Sequence, residues 1–320
     1  MIAPPLLVSF SDINSYVNSL SEENQALHEN NIRSLFDQNL PPIGSISTLS
    51  TMFGFSPRFV AMLLSDVSKQ YRTFEIRKGK KKRKIQAPKV GLKVIQKWFG
   101  HHLSGALVLD DGVYGFVPNR SAIDAASKHC TASWVYSFDI KDFFPSTTRE
   151  TVLSALVELG YVEESAELIS QLCCLDNKLP QGAPSSPALS NLVMRRIDTE
   201  LARFADENNL TYTRYADDIV LSGKEECPES LSEAVRSAFK DTDWELNPNK
   251  EYYADVRKGQ RLKVHGLLVM GEKPILTKGY RNKLRAYNYM IENGKAKEKD
   301  LPRLKGHIEY ARLVDRWNNG

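Results

Sequence analysis

The sequence predicts an α+β fold: an antiparallel sheet with helices on one face, flanked by helical segments toward both ends of the chain. Three observations carry that prediction. Strand-like and helical stretches follow one another in mixed order through the middle of the chain, not as a regular βαβ repeat. Two strand-forming runs, TYTRYA and DIVLSG, stand almost end to end, so they must fold back on each other as a hairpin. Residues 1–70 and 271–320 place apolar residues at helical spacing instead.

The elements can be read in order. NQALHENNIRSLFDQNL is helical and stops at Pro41-Pro42, a linker. ISTLSTMFGFSPRFVAMLLSD gives two short helices broken at Gly54, with Ser56 as N-cap and Pro57 in the first turn. That pair has the outline of a DNA-reading helix-turn-helix, but its second helix is mainly apolar, so a packed helical hairpin is expected. YRTFEIRKGKKKRKIQAP alternates like a β-hairpin with Gly79 in the turn, and GLKVIQKWFGHHL follows as an amphipathic helix. SWVYSFDIKDFF reads as a strand entering a turn at Pro145, and 150–173 as helical. LPQGAPSSPALSN is a turn capped into the helix ALSNLVMRRIDTELARFADENN. After the hairpin come a helix over ESLSEAVRSAFK, strands at EYYADV and LKVHGLLVM, and two closing helices.

Composition narrows the function. At 320 residues the chain can bury a real core and hold two or three subdomains. No apolar run is long enough to span a bilayer, and MIAPPLLVSF lacks a basic leader, so neither membrane nor secretion is expected. Cys130, Cys173, Cys174 and Cys227 form no C-x-x-C pair and read as reduced, packed thiols of a cytoplasmic protein. The histidines show no ligand spacing and no G-x-S-x-G occurs, so a hydrolytic triad has no support. Charge is unevenly spread. Residues 1–70 carry three basic against six acidic side chains, whereas Arg77 to Lys84 hold seven cations in eight positions. From Lys273 onward, twelve Lys and Arg face five Asp and Glu. Two separate basic zones are what a polyanion gripped at two places requires, although a single such run is more often a solvated surface.

Within TRYADDIVLS, Asp217 and Asp218 sit side by side at or beside the hairpin turn. Asp139, in SFDIKDFF, ends another strand; if that strand neighbours the hairpin, three carboxylates converge. Such a group either takes up protons or binds divalent cations, and oxygen-only ligands favour Mg²⁺ or Mn²⁺. Two ions about 3.5–4 Å apart would support phosphoryl transfer. An isolated Asp-Asp in a turn is usually turn chemistry alone.

YADD (215–218), SFDIKDFF and LPQGAPSSPALSN resemble, in this chain order, motifs of reverse transcriptases, as do RKIQAP, YGFVPNRSA, WELNPNK, VHGLLV and LKGHIEYA. The string LPQGAPSSP…YTRYADD is most similar to bacterial retron reverse transcriptases. The resemblance implies a right-hand polymerase, with an N-terminal helical extension at 1–70, fingers at 71–130 with part of 150–190, a palm at 131–270 and a thumb at 271–320. Asp139 and Asp217 would be the principal metal ligands, with Asp218 beside them and the Ile140 carbonyl adding an oxygen. Phe144 matches the gate against a 2′-hydroxyl, with Phe143 in the core by alternation. Gln181 and Gly182 match the nucleotide pocket, Arg83 and Lys81 the triphosphate clasp, and Lys250 a position beside departing pyrophosphate. Lys80, Lys82, Lys84, Arg120, Tyr280, Arg281, Lys283, Arg285 and Tyr287 would contact nucleic acid, unless the tyrosines pack inward and leave only the cations outside.

The chain departs from the retron pattern twice. Ala125-Ala126-Ser127-Lys128-His129 stands where N-A-x-x-H is usual, and Val264-His265-Gly266 where V-T-G is usual. The subgroup further implies a cognate structured noncoding RNA as template, dNTPs, two Mg²⁺ ions, priming from a guanosine 2′-hydroxyl to give branched RNA-linked DNA, and a separate effector protein in defence against phage. A group II intron-type reverse transcriptase and a non-catalytic RNA scaffold are the alternatives.

Overall fold

The computed structural model describes residues 4–78 and 81–319, and these form two compact units. Gly79 and Lys80, expected in a turn and on nucleic acid, lie outside the described residues, as does the Lys81 side chain.

The first unit takes the described residues up to Leu109, Lys141–Arg196 and Asp241–Glu245. It opens with α1 (Ile13–Asn18), α2 (Glu22–Asp37), α3 (Ile46–Phe53) and α4 (Pro57–Ser65). The expected break between the last two is present: Gly54 takes the left-handed conformation at φ 66°, and the Ser56 hydroxyl accepts the Phe59 N–H at 3.2 Å. β1 (Tyr71–Lys78) and β2 (Lys81–Pro88) pair in unbroken antiparallel register, and α5 (Val90–Ala106) follows.

The chain then enters the second unit with α6 (Ala122–Lys128) and β3 (Trp134–Asp139). It returns to the first for α7 (Phe143–Ser146), α8 (Arg149–Glu158) and α9 (Glu163–Cys173). Pro145, expected to make a turn, lies inside the short α7, whose Asp142 N-cap takes φ 47° and redirects the chain before the proline. The single helical stretch expected over 150–173 is two helices, broken where Gly160 adopts φ 113°. The first unit's core gathers Tyr16, Leu49, Trp98, Phe99, Leu156 and Leu172.

α10 (Ser186–Glu207) leads into β4 (Thr211–Tyr215), β5 (Asp218–Gly223), α11 (Leu231–Ala238) and β6 (Tyr252–Asp255). In space the strands lie β4-β5-β3-β6, all antiparallel. The anticipated strand LKVHGLLVM is instead a small hairpin, β7 (Lys263–Val264) and β8 (Leu267–Leu268), because His265 and Gly266 both take positive φ between them. A third short strand, β9 (Ile275–Leu276), joins it, and α12 (Lys278–Glu292) and α13 (Leu301–Asn319) follow. Val135, Val220, Ala254, Leu262, Leu267 and Val314 form a core joining sheet, small hairpin and α13. The four cysteines are free thiols, and no described helix is long and apolar enough to cross a membrane.

Candidate active site

The register of the second unit's sheet builds the site. Asp139 at the end of β3 lies directly opposite Asp218 at the start of β5, and Tyr215 lies opposite Asp218 from the other side. Side chains alternate between the faces of a sheet, so Asp139, Asp218, Tyr215, Thr213 and Ser222 share one face, while Tyr212 and Arg214 point to the other. Ala216 and Asp217 form the corner between β4 and β5, with Ala216 at φ 58°. Asp217 therefore stands in the corner and Asp218 beside it, and the Asp217 carbonyl accepts the Ile140 N–H at 2.9 Å. The three predicted acids and Ile140 thus come together from two distant segments.

Like charges directly opposite across a pair of strands repel. Burial pushes the Asp139 carboxyl above its ordinary range, and the Asp218 charge adds to that, while Lys250 pulls it down. Burial likewise raises Asp217, with Asp218 and Asp139 adding to it. Lys250 supplies the counter-charge: its ammonium donates to both Asp139 oxygens at 2.6 Å. The segment holding it is laced to β3, with the Asn247 N–H on the Asp139 carbonyl at 2.8 Å and the Lys250 N–H on the Asn247 carbonyl at 3.0 Å.

Among the described residues, no three Asp, Glu, His or Cys side chains enclose a metal ion as they stand. The donor chemistry nevertheless fits a hard divalent cation. The side-chain donors are carboxylate oxygens, burial disfavours the bare charge on two of them, and a cationic group already sits on Asp139.

His265 and His129 approach the same face. The His265 ring lies 5.2 Å from that of Tyr215, with Nδ1 3.8 Å from an Asp218 oxygen. His129 is fully buried, its Nδ1 2.7 Å from the Ser222 hydroxyl and its Nε2 2.7 Å from that of Thr213. It is a satisfied core histidine that ties β4 to β5 four residues below the acids. Arg214, on the opposite face, was not foreseen as important. Its signal was present as an arginine inside a run whose neighbours are all strand formers, where a lone cation needs a buried partner.

The other expected residues divide between the units. In the first, Arg83 and Lys84 are exposed on β2, and Lys82 pairs with Glu75 at 2.7 Å. Gly182, at φ 125°, lies against that hairpin: a Cβ there would come within 2.8 Å of Ile85, and the Gln181 carbonyl accepts the Gln86 N–H at 2.9 Å. Phe143 is buried, as alternation predicted, and Phe144 is half-buried, its ring 5.5 Å from that of Phe143. In the second, Arg120 Nη1 donates to the carbonyls of Asp110, Asp111 and Val113, and its guanidinium lies over the Tyr114 ring. Tyr280 shares a hydrogen bond with His307 at 2.7 Å, and the Tyr287 ring lies 5.4 Å from the same imidazole. Arg281, Lys283 and Arg285 stay exposed along α12. Both tyrosines thus pack toward α13, with the cations outside.

Residues 76–264 match the family described as "Reverse transcriptase (RNA-dependent DNA polymerase)". The chain is 29% identical over 286 residues to the Retron Ec86 reverse transcriptase of Escherichia coli, covering 86% of each. It is 32% identical over 253 residues to the Retron Ec73 reverse transcriptase of the same organism, covering 73% of this chain and 79% of that one. Telomerase from Candida albicans, solved with a fragment of telomeric RNA, superposes at TM-score 0.47 with 11% identity, over 81% of this chain and 58% of that one. Agreement at that level does not by itself establish a common fold.

Proposed function

The chain belongs to the retron reverse transcriptases, RNA-directed DNA polymerases of right-hand fold, and from that premise we propose that it copies part of a cognate structured noncoding RNA into DNA at Asp139, Asp217 and Asp218. The observation that carries the site assignment is the register that sets Asp139 opposite Asp218, with Asp217 in the adjoining corner. Divalent-metal use is general to the family. We assign magnesium here, as two ions on the three carboxylates and the Ile140 carbonyl, with manganese as a substitute. When bound, the ions would activate the attacking hydroxyl and neutralise charge on the departing pyrophosphate.

The chain's own residues do the rest. Asp139 and Asp217 would present their oxygens from the end of β3 and the adjoining hairpin corner, so little reorganisation would be needed. Lys250 balances Asp139 and is proposed to hand a proton to the departing pyrophosphate. Phe144 would exclude a 2′-hydroxyl, Gln181 and Gly182 would line the nucleotide pocket, and Arg83 with Lys81 would clasp the triphosphate. We propose fingers at 71–130 with part of 150–190, a palm at 131–270 and a thumb at 271–320, behind an N-terminal extension at 1–70. Lys80, Lys82, Lys84 and Arg120, with α12's Arg281, Lys283 and Arg285, are proposed to meet nucleic acid through its phosphates, whereas Tyr280 and Tyr287, packed toward α13, are not.

We further propose priming from a guanosine 2′-hydroxyl of the same RNA, giving branched RNA-linked single-stranded DNA, in a cytoplasmic anti-phage system with a separate effector. The test is the nucleic acid that co-purifies with the protein. The reading predicts single-stranded DNA that keeps an RNA branch after protease and is trimmed by a debranching enzyme. Linear cDNA alone, made only from an annealed primer, would instead indicate group II intron-type priming.

A further inference from the structure

We propose that Arg214 is a positioning residue that sets the direction of Asp217 through the backbone of Ala216; the inference rests on Asp217 being catalytic. Arg214 is among the largest fully buried side chains of the described residues. Its Nε donates to Asp198 Oδ1 at 2.6 Å and its Nη2 to Oδ2 at 2.7 Å, and the Tyr212 hydroxyl donates to the same carboxylate at 2.7 Å. A buried ion pair is weak evidence of stability, because desolvating both charges offsets their attraction. What this pair does is hold a planar fork still while a third nitrogen works. Nη1 donates to the Ala216 carbonyl at 3.0 Å.

Ala216 is the corner residue, at φ 58°, a conformation that favours glycine and is costly for an L-residue with a side chain. Its carbonyl belongs to the peptide plane whose other end is the Asp217 nitrogen, so fixing that oxygen fixes the plane from which the Asp217 side chain departs. The corner is braced from a second side. The Tyr114 and Gly115 N–H groups donate to the Arg214 carbonyl at 2.8 and 3.2 Å, and the Arg214 N–H donates to Gly112 at 2.8 Å. A Cβ on Gly115 would fall 2.0 Å from the Ala216 nitrogen, so only glycine lets that loop lie against the corner. Arg214 holds from the face opposite the acids and touches no substrate.

The test is steady-state primer extension by Arg214→Lys, Ala216→Gly, the pair together, and Asp217→Asn, each checked for folding by circular dichroism. Lysine keeps the charge but cannot reach Asp198 with two nitrogens and Ala216 with a third. We expect kcat to fall by up to about a hundredfold, as for other small displacements of a reacting group. KM for dNTP and template–primer affinity stay within about twofold, since ground-state binding is untouched. Glycine at 216 accepts the corner conformation unaided, so the double variant recovers roughly fivefold in kcat over R214K. Wild-type kcat in folded R214K, or a loss that A216G leaves unrelieved, overturns the inference. Should R214K not fold, Asp198→Asn, which keeps the guanidinium and removes only its partner's charge, is read in the same way. An active D217N would instead sink the reading of Asp217 itself; an inactive D217N beside a fully active R214K sinks only the role given to Arg214.

Discussion

Two hairpins in this chain put the same motif to opposite electrostatic uses. β1–β2 runs in unbroken register from Tyr71 opposite Pro88 to Lys78 opposite Lys81, and residues 72–77 and 82–84 along it are exposed. β4–β5 is buried at Ile219 to Gly223 and at Tyr212 to Arg214, and carries acids at its corner. The cations of the first are solvated and cost little, so their number is unconstrained by packing. The acids of the second lie partly out of water, with Asp218 opposite Asp139 of β3, and the fold braces them from elsewhere: Lys250 pairs with Asp139, Arg214 holds the corner backbone, and His129 ties Thr213 to Ser222. An exposed hairpin can adapt to a polyanion. A buried one can hold a carboxylate where chemistry needs it.

The largest test of that contrast removes the acids. We expect Asp139→Ala or Asp217→Ala to lower DNA synthesis at least about a thousandfold, the scale of losing a metal-held reaction centre. Thermal melting should hold, because losing the Lys250 ion pair or a corner carboxylate is offset by relief of the repulsion among the three acids. A fall in melting temperature that accounts for the lost activity would put these residues in the scaffold instead. Next in size is Lys250→Met. With the ammonium gone from Asp139, less divalent cation should be needed for half-maximal activity, by about three- to tenfold. An unchanged metal titration would mean that Lys250 does not compete for that carboxylate.

In the exposed hairpin, Lys84→Ala should weaken template–primer binding and reduce the slope of log K against log salt by about 1 for the lost phosphate contact. Melting should be unchanged, and a destabilised protein would show that this hairpin is packed in solution. The smallest effect at neutral pH belongs to His129. Burial pushes its imidazole down to about 3 from an ordinary 6.5. Between those values the unfolded chain binds a proton that the folded chain refuses. Stability is therefore full above 6.5 and drains as pH falls toward about 3, at a slope approaching about 1.4 kcal/mol per pH unit. His129→Gln should flatten that slope in pH-dependent melting; an unaltered slope would assign acid sensitivity to other groups.

Most of the fold was legible because its signals are local. Gly54, Ser56 and Pro57 mark a helix break by their own chemistry, and TYTRYA-DIVLSG has no room for anything but a hairpin. The convergence of Asp139 with Asp217 and Asp218 depended on one conditional, that β3 neighbours β5, and the register meets it. What stayed hidden depends on partners far along the chain. Lys250 reaches Asp139 across 111 positions, and no spacing rule predicts it. Arg214 stands out in sequence as a cation among strand formers, but its partner is legible only once α10 brings Asp198 against it. LKVHGLLVM reads as one strand because a positive φ at His265 has no sequence signature of its own.

The central claim is that Asp139, Asp217 and Asp218 together hold the catalytic cations, and Mn²⁺ binding followed by electron paramagnetic resonance on the template–primer complex addresses it most directly. Bound Mn²⁺ in the wild type should disappear in Asp139→Asn and in Asp217→Asn, along with primer extension. A folded D139N/D217N protein that still binds Mn²⁺ as the wild type does, and still extends primers, would contradict the account.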